Sequence, residues 1–207
     1  MNKKSQLILG ALMLGGTLAM PQADAAKLAV PSNSHCVAWK TNKTLGLVKR
    51  ATAVGTSCNV TVKAIKKGGQ LGAEVSVPIA SFDSKEKKRD AEVLKILDAS
   101  KQPNVIFKTA MLSPAQWQKM LSNGSGPVKG TLYIGKRAYP QTTVVKVKKA
   151  GSNVVVNGVL VTKFTKLGIK PPTVGPGGSI AKVDDYVELH FSFNSSKLQN
   201  KSVVPGL

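Results

Sequence analysis

Acidic residues are scarce: ten Asp and Glu stand against thirty Lys and Arg in 207 residues, a formal net charge of +20. That excludes an acidic, halophile-like surface and leaves few carboxylates from which to build a general acid and base. Aromatic residues make up only 5% of the chain, too few for a row of base-stacking rings, so no nucleic-acid partner is expected. Histidine and cysteine occur twice each. There is no C-x-x-C, no C-x-x-C-H and no H-E-x-x-H, which removes the usual redox, haem and zinc signatures. Nor is there a G-x-S-x-G elbow, a P-loop or a G-x-G-x-x-G following a strand. We therefore expect no catalytic residues, no metal and no cofactor, and read the chain as a non-enzyme. Beyond the N-terminus, no apolar run reaches the roughly 20 residues of a membrane span.

What is present begins with a leader. Lys3 and Lys4 precede an apolar stretch over residues 7–20, broken by Gly10, Gly15 and Gly16, and Ala23-Asp24-Ala25 places small residues at a cleavage site. Residues 1–25 thus read as a signal peptide cleaved near Ala25, and the protein is expected to be periplasmic or secreted. Cleavage removes two lysines and one aspartate, so the positive excess belongs to the exported part. In an oxidising compartment Cys36 and Cys58 are expected to form one structural disulfide, worth about 3 kcal/mol in the loop-entropy account.

With 42% hydrophobic residues the chain can bury a core. Residues 26–35 are polar and expected as a flexible lead, 36–195 as the folded domain and 196–207 as a flexible tail. The domain is dominated by period-2 alternation. In Val187-Glu188-Leu189-His190-Phe191-Ser192-Phe193 every odd residue is apolar and every even one polar. Residues 143–148 and 74–79 alternate likewise, Pro78 marking an edge or a strand end. Residues 60–64, 105–109, 130–134 and 154–165 are further strands, separated by Lys67-Gly68-Gly69, Gly135-Lys136-Arg137, Gly151-Ser152-Asn153 and Gly175-Pro176-Gly177-Gly178. Two helices interrupt them. Residues 84–97 make a short amphipathic one, and Ser113-Pro114-Ala115-Gln116 has the parts of a capping box before a helix ending at Asn123-Gly124. The fold class is all-β: an antiparallel barrel or sandwich of seven or eight strands with one or two short helices.

Some of these segments resemble a known family. Phe82-Asp83-Ser84, Arg89-Asp90, Leu94, Leu97 and Pro103-Asn104-Val105-Ile106-Phe107 are similar to the middle of the YceI-like family. Residues 128–135, Phe164-Thr165-Lys166-Leu167-Gly168-Ile169 and residues 183–189 resemble its later strands, so the likeness covers about residues 54–193. It implies a lipocalin-like barrel of about eight strands, exported, holding a polyisoprenoid or other long-chain lipid. The family's first-strand Asp-x-x-His-Ser segment is missing. Cys36, Trp39 and Cys58 occupy that region, so the resemblance carries no expectation for the first hairpin.

The apolar interior is assigned to Val75, Val77, Ile79, Val105, Phe107, Val145, Val147, Leu189, Phe191 and Phe193. Alternation alone fits a filled core as well as a hollow one, and the family likeness favours the hollow one. Arg89 and Asp90 are expected as a structural pair or a headgroup grip. His190 is expected on the outward face and His35 beside Cys36. Lys63, Lys66, Lys67, Lys85, Lys87, Lys88, Lys146, Lys148, Lys149, Lys163 and Lys166 fall on exteriors and turns, where they guard strand edges and would attract an anionic membrane or envelope surface. The alternative function is a cationic barrel with a filled core, acting as a surface or protein-interaction module. An exposed strand edge would permit a dimer, but nothing in the sequence selects one.

Overall fold

A computed structural model describes residues 29–46 and 48–203. The leader, residues 1–25, lies outside the described residues. A hairpin opens the domain, β1 (Cys36–Leu45) with β2 (Lys49–Ser57), followed by β3 (Thr61–Lys67) and β4 (Gln70–Pro78). Then come α1 (Lys87–Ile96), β5 (Asn104–Thr109), α2 (Pro114–Asn123), β6 (Ser125–Ile134), β7 (Arg137–Ala150) and β8 (Asn153–Thr162). Two short strands, β9 (Thr173–Val174) and β10 (Ala181–Val183), precede β11 (Val187–Asn194).

All strands join one antiparallel sheet in the order β3-β4-β5-β6-β7-β8-β11-β1-β10-β9, with β2 on the other side of β1. The all-β class is as expected, but among the described residues the strands number eleven rather than about eight. The first hairpin and the short β9–β10 ribbon account for the difference, because neither carries an apolar alternation. The sheet also does not close by hydrogen bonds, since β2 and β3 do not pair. Other segments bridge that gap. Thr56 and Asp83 exchange backbone bonds of 3.0 and 2.9 Å, and Gln199 bonds Val62 and Ala64 at 2.9 and 3.0 Å. The Cys36–Cys58 disulfide ties the start of β1 to the link between β2 and β3.

Local chemistry explains the connections. Gly68 and Gly69, with φ of 56° and 76°, make the tight β3–β4 turn that only residues tolerant of the left-handed region form readily. Ser113 caps α2 reciprocally: its hydroxyl accepts from Gln116 N at 3.2 Å, and the Gln116 side chain accepts from Ser113 N at 2.8 Å. Gly124, left-handed at φ 65°, ends that helix. α1 starts at Glu86, whose carboxylate accepts from the backbone N–H groups of Lys88 and Arg89 at 2.9 and 3.1 Å.

Both flanking segments are packed where they are described, unlike the flexible lead and tail expected. Val30 is buried with Cys36 and Ala38, and Ala29 N–H donates to His190 Nδ1 at 3.2 Å. At the other terminus, residues 195–203 form two 3-10 turns, and Leu198 joins the core cluster around Val62, Val75 and Val77. Each covers outer or open-edge sheet surface that would otherwise be wet, which outweighs their polar composition.

Antiparallel alternation sorts the connections to two ends of the barrel. The β3–β4 turn, α2 and the β7–β8 turn lie at one end; the β1–β2 turn, α1, the β6–β7 turn and residues 163–186 lie at the other.

Candidate functional site: an apolar lumen

Inward positions follow the pleat. On β4 they are Leu71, Ala73, Val75 and Val77, on β8 Val154, Val156, Gly158 and Leu160, and on β11 Val187, Leu189, Phe191 and Phe193. Together with their neighbours they enclose a cavity of about 1140 Å³, at or above the roughly 300–1,000 Å³ of ordinary small-molecule pockets. α2 plugs the wall at one end through Met120, which packs with Val145, Val147 and Val154. α1 lines the other end through Ala91, Val93 and Ile96 and buries none of its residues fully.

Three of the large rings on the wall each lie against a glycine. Trp39 covers Gly55, Phe191 covers Gly158 and Phe107 covers Gly130, and a Cβ at any of the three glycines would collide with the ring. The first two are directly paired across strands, and the third is diagonal. A glycine opposite an aromatic lets the ring lie flat on the sheet instead of projecting from it. The rings therefore thicken the wall without crossing the lumen. Phe107, Leu189, Phe191 and Phe193 face inward yet stay only half-buried, their free faces turned to the cavity. Phe191 and Phe193 stack with centroids 5.3 Å apart.

Of the interior residues expected from sequence, Val75, Val77, Val105, Phe107, Val145, Leu189, Phe191 and Phe193 line the cavity. Ile79 does not: β4 ends at Pro78, and Ile79 turns into a 3-10 segment, where it is fully buried. Val147 is also off the lumen, because Met120 of α2 covers it. Arg89 and Asp90 do not pair with each other. Adjacent helical residues point apart, and both converge instead on Ser84. Asp90 accepts from its N–H at 3.0 Å and its hydroxyl at 2.6 Å, while Arg89 donates to its Oγ at 2.9 Å and its carbonyl at 2.8 Å. The eleven lysines placed on exteriors and turns are all exposed.

The wall offers few polar groups, and most are already engaged. Thr41 donates to Tyr186 O at 2.6 Å, Thr143 donates to Val159 O at 2.9 Å, and Thr109 accepts from Ala73 N at 2.8 Å. Trp39 and Trp117 also line the cavity, and their buried indole N–H groups have no partner among the described residues. Neither was singled out for the lumen from sequence. Among the described residues no group of three or more His, Cys, Asp or Glu side chains is placed to hold a metal.

The densest polar cluster lies outside the lumen, on the opposite face of β1 and β11. Glu188 accepts from Tyr186 at 2.7 Å and Lys40 at 3.2 Å, and meets His190 Nε2 at 2.6 Å. His190 lies on the outward face of β11, yet it is fully buried there, because the 29–35 segment lies over the even-numbered face of that strand. Since Nδ1 accepts from Ala29, the proton belongs on Nε2, which donates to Glu188. Both nitrogens are thus engaged, and the cluster clamps the lead. Burial alone would raise the Glu188 carboxyl, but hydrogen bonds from Tyr186, Lys40 and His190 together bring it below the usual range. Tyr186 is pushed up to about 12, first by burial and then by its bond to that carboxylate. His35 is lowered, first by burial and then by the Lys197 charge.

The comparison with known proteins agrees with this geometry. The YceI-like domain matches residues 29–195. The chain belongs to the YceI-like domain family. Among solved structures it is similar to Burkholderia cenocepacia BcnA, at 20% identity and a TM-score of 0.56, covering 77% of this chain and 95% of that one. A YCEI protein from Campylobacter jejuni matches at 11% identity and a TM-score of 0.51, covering 91% and 97%. A polyisoprenoid binding domain from Saccharophagus degradans matches at 10% identity and a TM-score of 0.48, covering 76% and 92%. At these identities the first two likenesses speak to fold alone, and the third is too loose for either fold or ligand. No curated protein sequence matches.

Two outcomes follow from the wall and the clamp. Gly158→Ala forces the Phe191 ring off the sheet and should destabilise the protein by about 1–3 kcal/mol in urea unfolding. An unchanged midpoint would show that the ring does not depend on the glycine. His35 favours its neutral form in the fold, so its stabilisation is present above the ordinary value of 6.5 and lost as pH falls through the lower folded value. Glu188, lowered likewise, loses its contribution at more acid pH, as it falls through its folded value. Stability should therefore drop from pH 7 downward, and His35→Gln should flatten the upper part of that drop. A profile unchanged by the substitution would contradict the assignment.

Proposed function

We propose that this protein is an exported, non-enzymatic carrier that holds a long apolar chain, of the polyisoprenoid or long-chain lipid class, inside its lumen. The observation that carries the reading is the cavity of about 1140 Å³ with an apolar wall flattened by ring-on-glycine packing. The wall is poorly made for ordered water, which needs two to four polar partners. Thr41, Thr109 and Thr143 are already hydrogen-bonded, so a hydrocarbon chain is the better occupant.

Burial is then the mechanism. Each methylene taken from water contributes about 0.8 kcal/mol, less the cost of ordering the chain. A filled-core interaction module, the other reading of the sequence, does not account for a cavity of this volume.

The test is organic extraction of the purified protein followed by mass spectrometry, with uptake of a polyprenol in detergent as the second arm. A long-chain lipid in the extract, or saturable polyprenol uptake, is the expected result. Protein that yields no lipid and takes up no polyprenol would refute the carrier reading.

A further inference from the structure

The most exposed aliphatic side chains include three from two neighbouring turns. Val48 is 89% exposed, Ile180 61% and Val174 54%. Backbone bonds link the two segments: Gly46 N–H donates to Ile180 O at 2.9 Å, and Ile180 N–H donates to Val174 O at 3.0 Å. Gly46 at the end of β1 and the β9–β10 turn thus meet in a single tip at the α1 end of the barrel, with Val48 just before β2. Water disfavours such a cluster, and its position is informative. Lys43, Val174, Gly175, Ala181 and Val183 all line the cavity, so the tip is part of the rim.

The tip is also cationic. Lys43, Lys49, Arg50 and Lys182 surround the aliphatic side chains, and none forms a salt bridge among the described residues. Of the acids at this end, Glu86 caps α1 and Glu92 pairs with Lys95, while Asp184 and Asp185 are closest to the tip in sequence. Asp185 is occupied by Thr165, accepting from its N–H at 2.9 Å and its hydroxyl at 2.6 Å. Exposed aliphatic groups ringed by free cations match the chemistry of a lipid interface, in which apolar groups enter the acyl boundary and cations reach the phosphates.

We propose that this tip docks on an anionic phospholipid bilayer and turns the cavity rim toward the lipid. An apolar chain would then pass between bilayer and lumen without a fully aqueous step. The docking itself stands on the tip; the cargo rests on the carrier reading above.

Co-sedimentation with vesicles tests it, using phosphatidylcholine alone and three parts phosphatidylcholine to one part phosphatidylglycerol. The purified protein should bind the anionic vesicles and not the neutral ones. Removing two well-placed charges in Lys49→Gln/Arg50→Gln should weaken binding about 25-fold, at roughly fivefold per charge. The pair Lys146→Gln/Lys148→Gln removes the same charge from the outer face of β7, near the opposite end, and should cost much less. Val48→Asp/Ile180→Asp should abolish binding. All six positions are exposed, so unchanged thermal melting is expected and separates docking from folding. Equal losses from both charge pairs, or full binding by Val48→Asp/Ile180→Asp, would overturn the tip and leave diffuse attraction. Polyprenol uptake in detergent keeps the two proposals apart. Tip variants should still load; wild-type protein that loads but ignores anionic vesicles contradicts the tip alone, and one that binds vesicles but never loads contradicts the cargo alone.

Discussion

Three rings resting on three glycines set the character of this protein. Trp39, Phe191 and Phe107 are large enough to block a narrow barrel, and an ordinary Cβ on the facing strand would push each of them inward. Glycine removes that Cβ, and the ring drops onto the backbone. The same contact contributes twice. It buries ring surface against the wall, which stabilises the sheet, and it leaves a free axis for a ligand. Glycine in a strand interior normally weakens it by about 0.5–1 kcal/mol, so its use here trades a little intrinsic preference for a lumen.

The rest of the molecule fits around that lumen. α2 and its buried Met120 plug the wall at one end, while α1, with no fully buried residue, lines the other. Because β2 and β3 do not pair, the barrel depends on other devices at that seam: the Cys36–Cys58 disulfide, the Thr56–Asp83 bridge and the strand-like contact of Gln199. The lead crosses the outside of β1 and β11 and is clamped by His190 and Glu188. Polar chemistry is thus kept on the outer wall and hydrocarbon contact on the inner one.

How much of this could be read in the sequence depended on how each strand divides its two faces. β11 alternates cleanly because its inner face is Val187, Leu189, Phe191 and Phe193, and β7 does so through Val145 and Val147. β2 left no such trace. Its inward residues, Ala53, Gly55 and Ser57, are small because Trp39 and its neighbours occupy the space above them. The partner that makes β2 part of the lumen is Trp39, on another strand, so no local pattern records it. Ile79 misled for a related reason, since alternation ran past Pro78 although the strand did not. His190 sits at a formally outward position, and only the segment over it, far away in the chain, makes it buried. The helix after Ser113, by contrast, was fully legible because a capping box is local chemistry.

The central claim is that flattened rings leave an open apolar axis for a chain. Crystallographic electron density inside the barrel of protein purified without added lipid tests it most directly. The account predicts Trp39, Phe107 and Phe191 flat on their glycines, with continuous elongated density running beside them between the α2 and α1 ends. Rings turned inward to meet across a solid, chain-free core would contradict it.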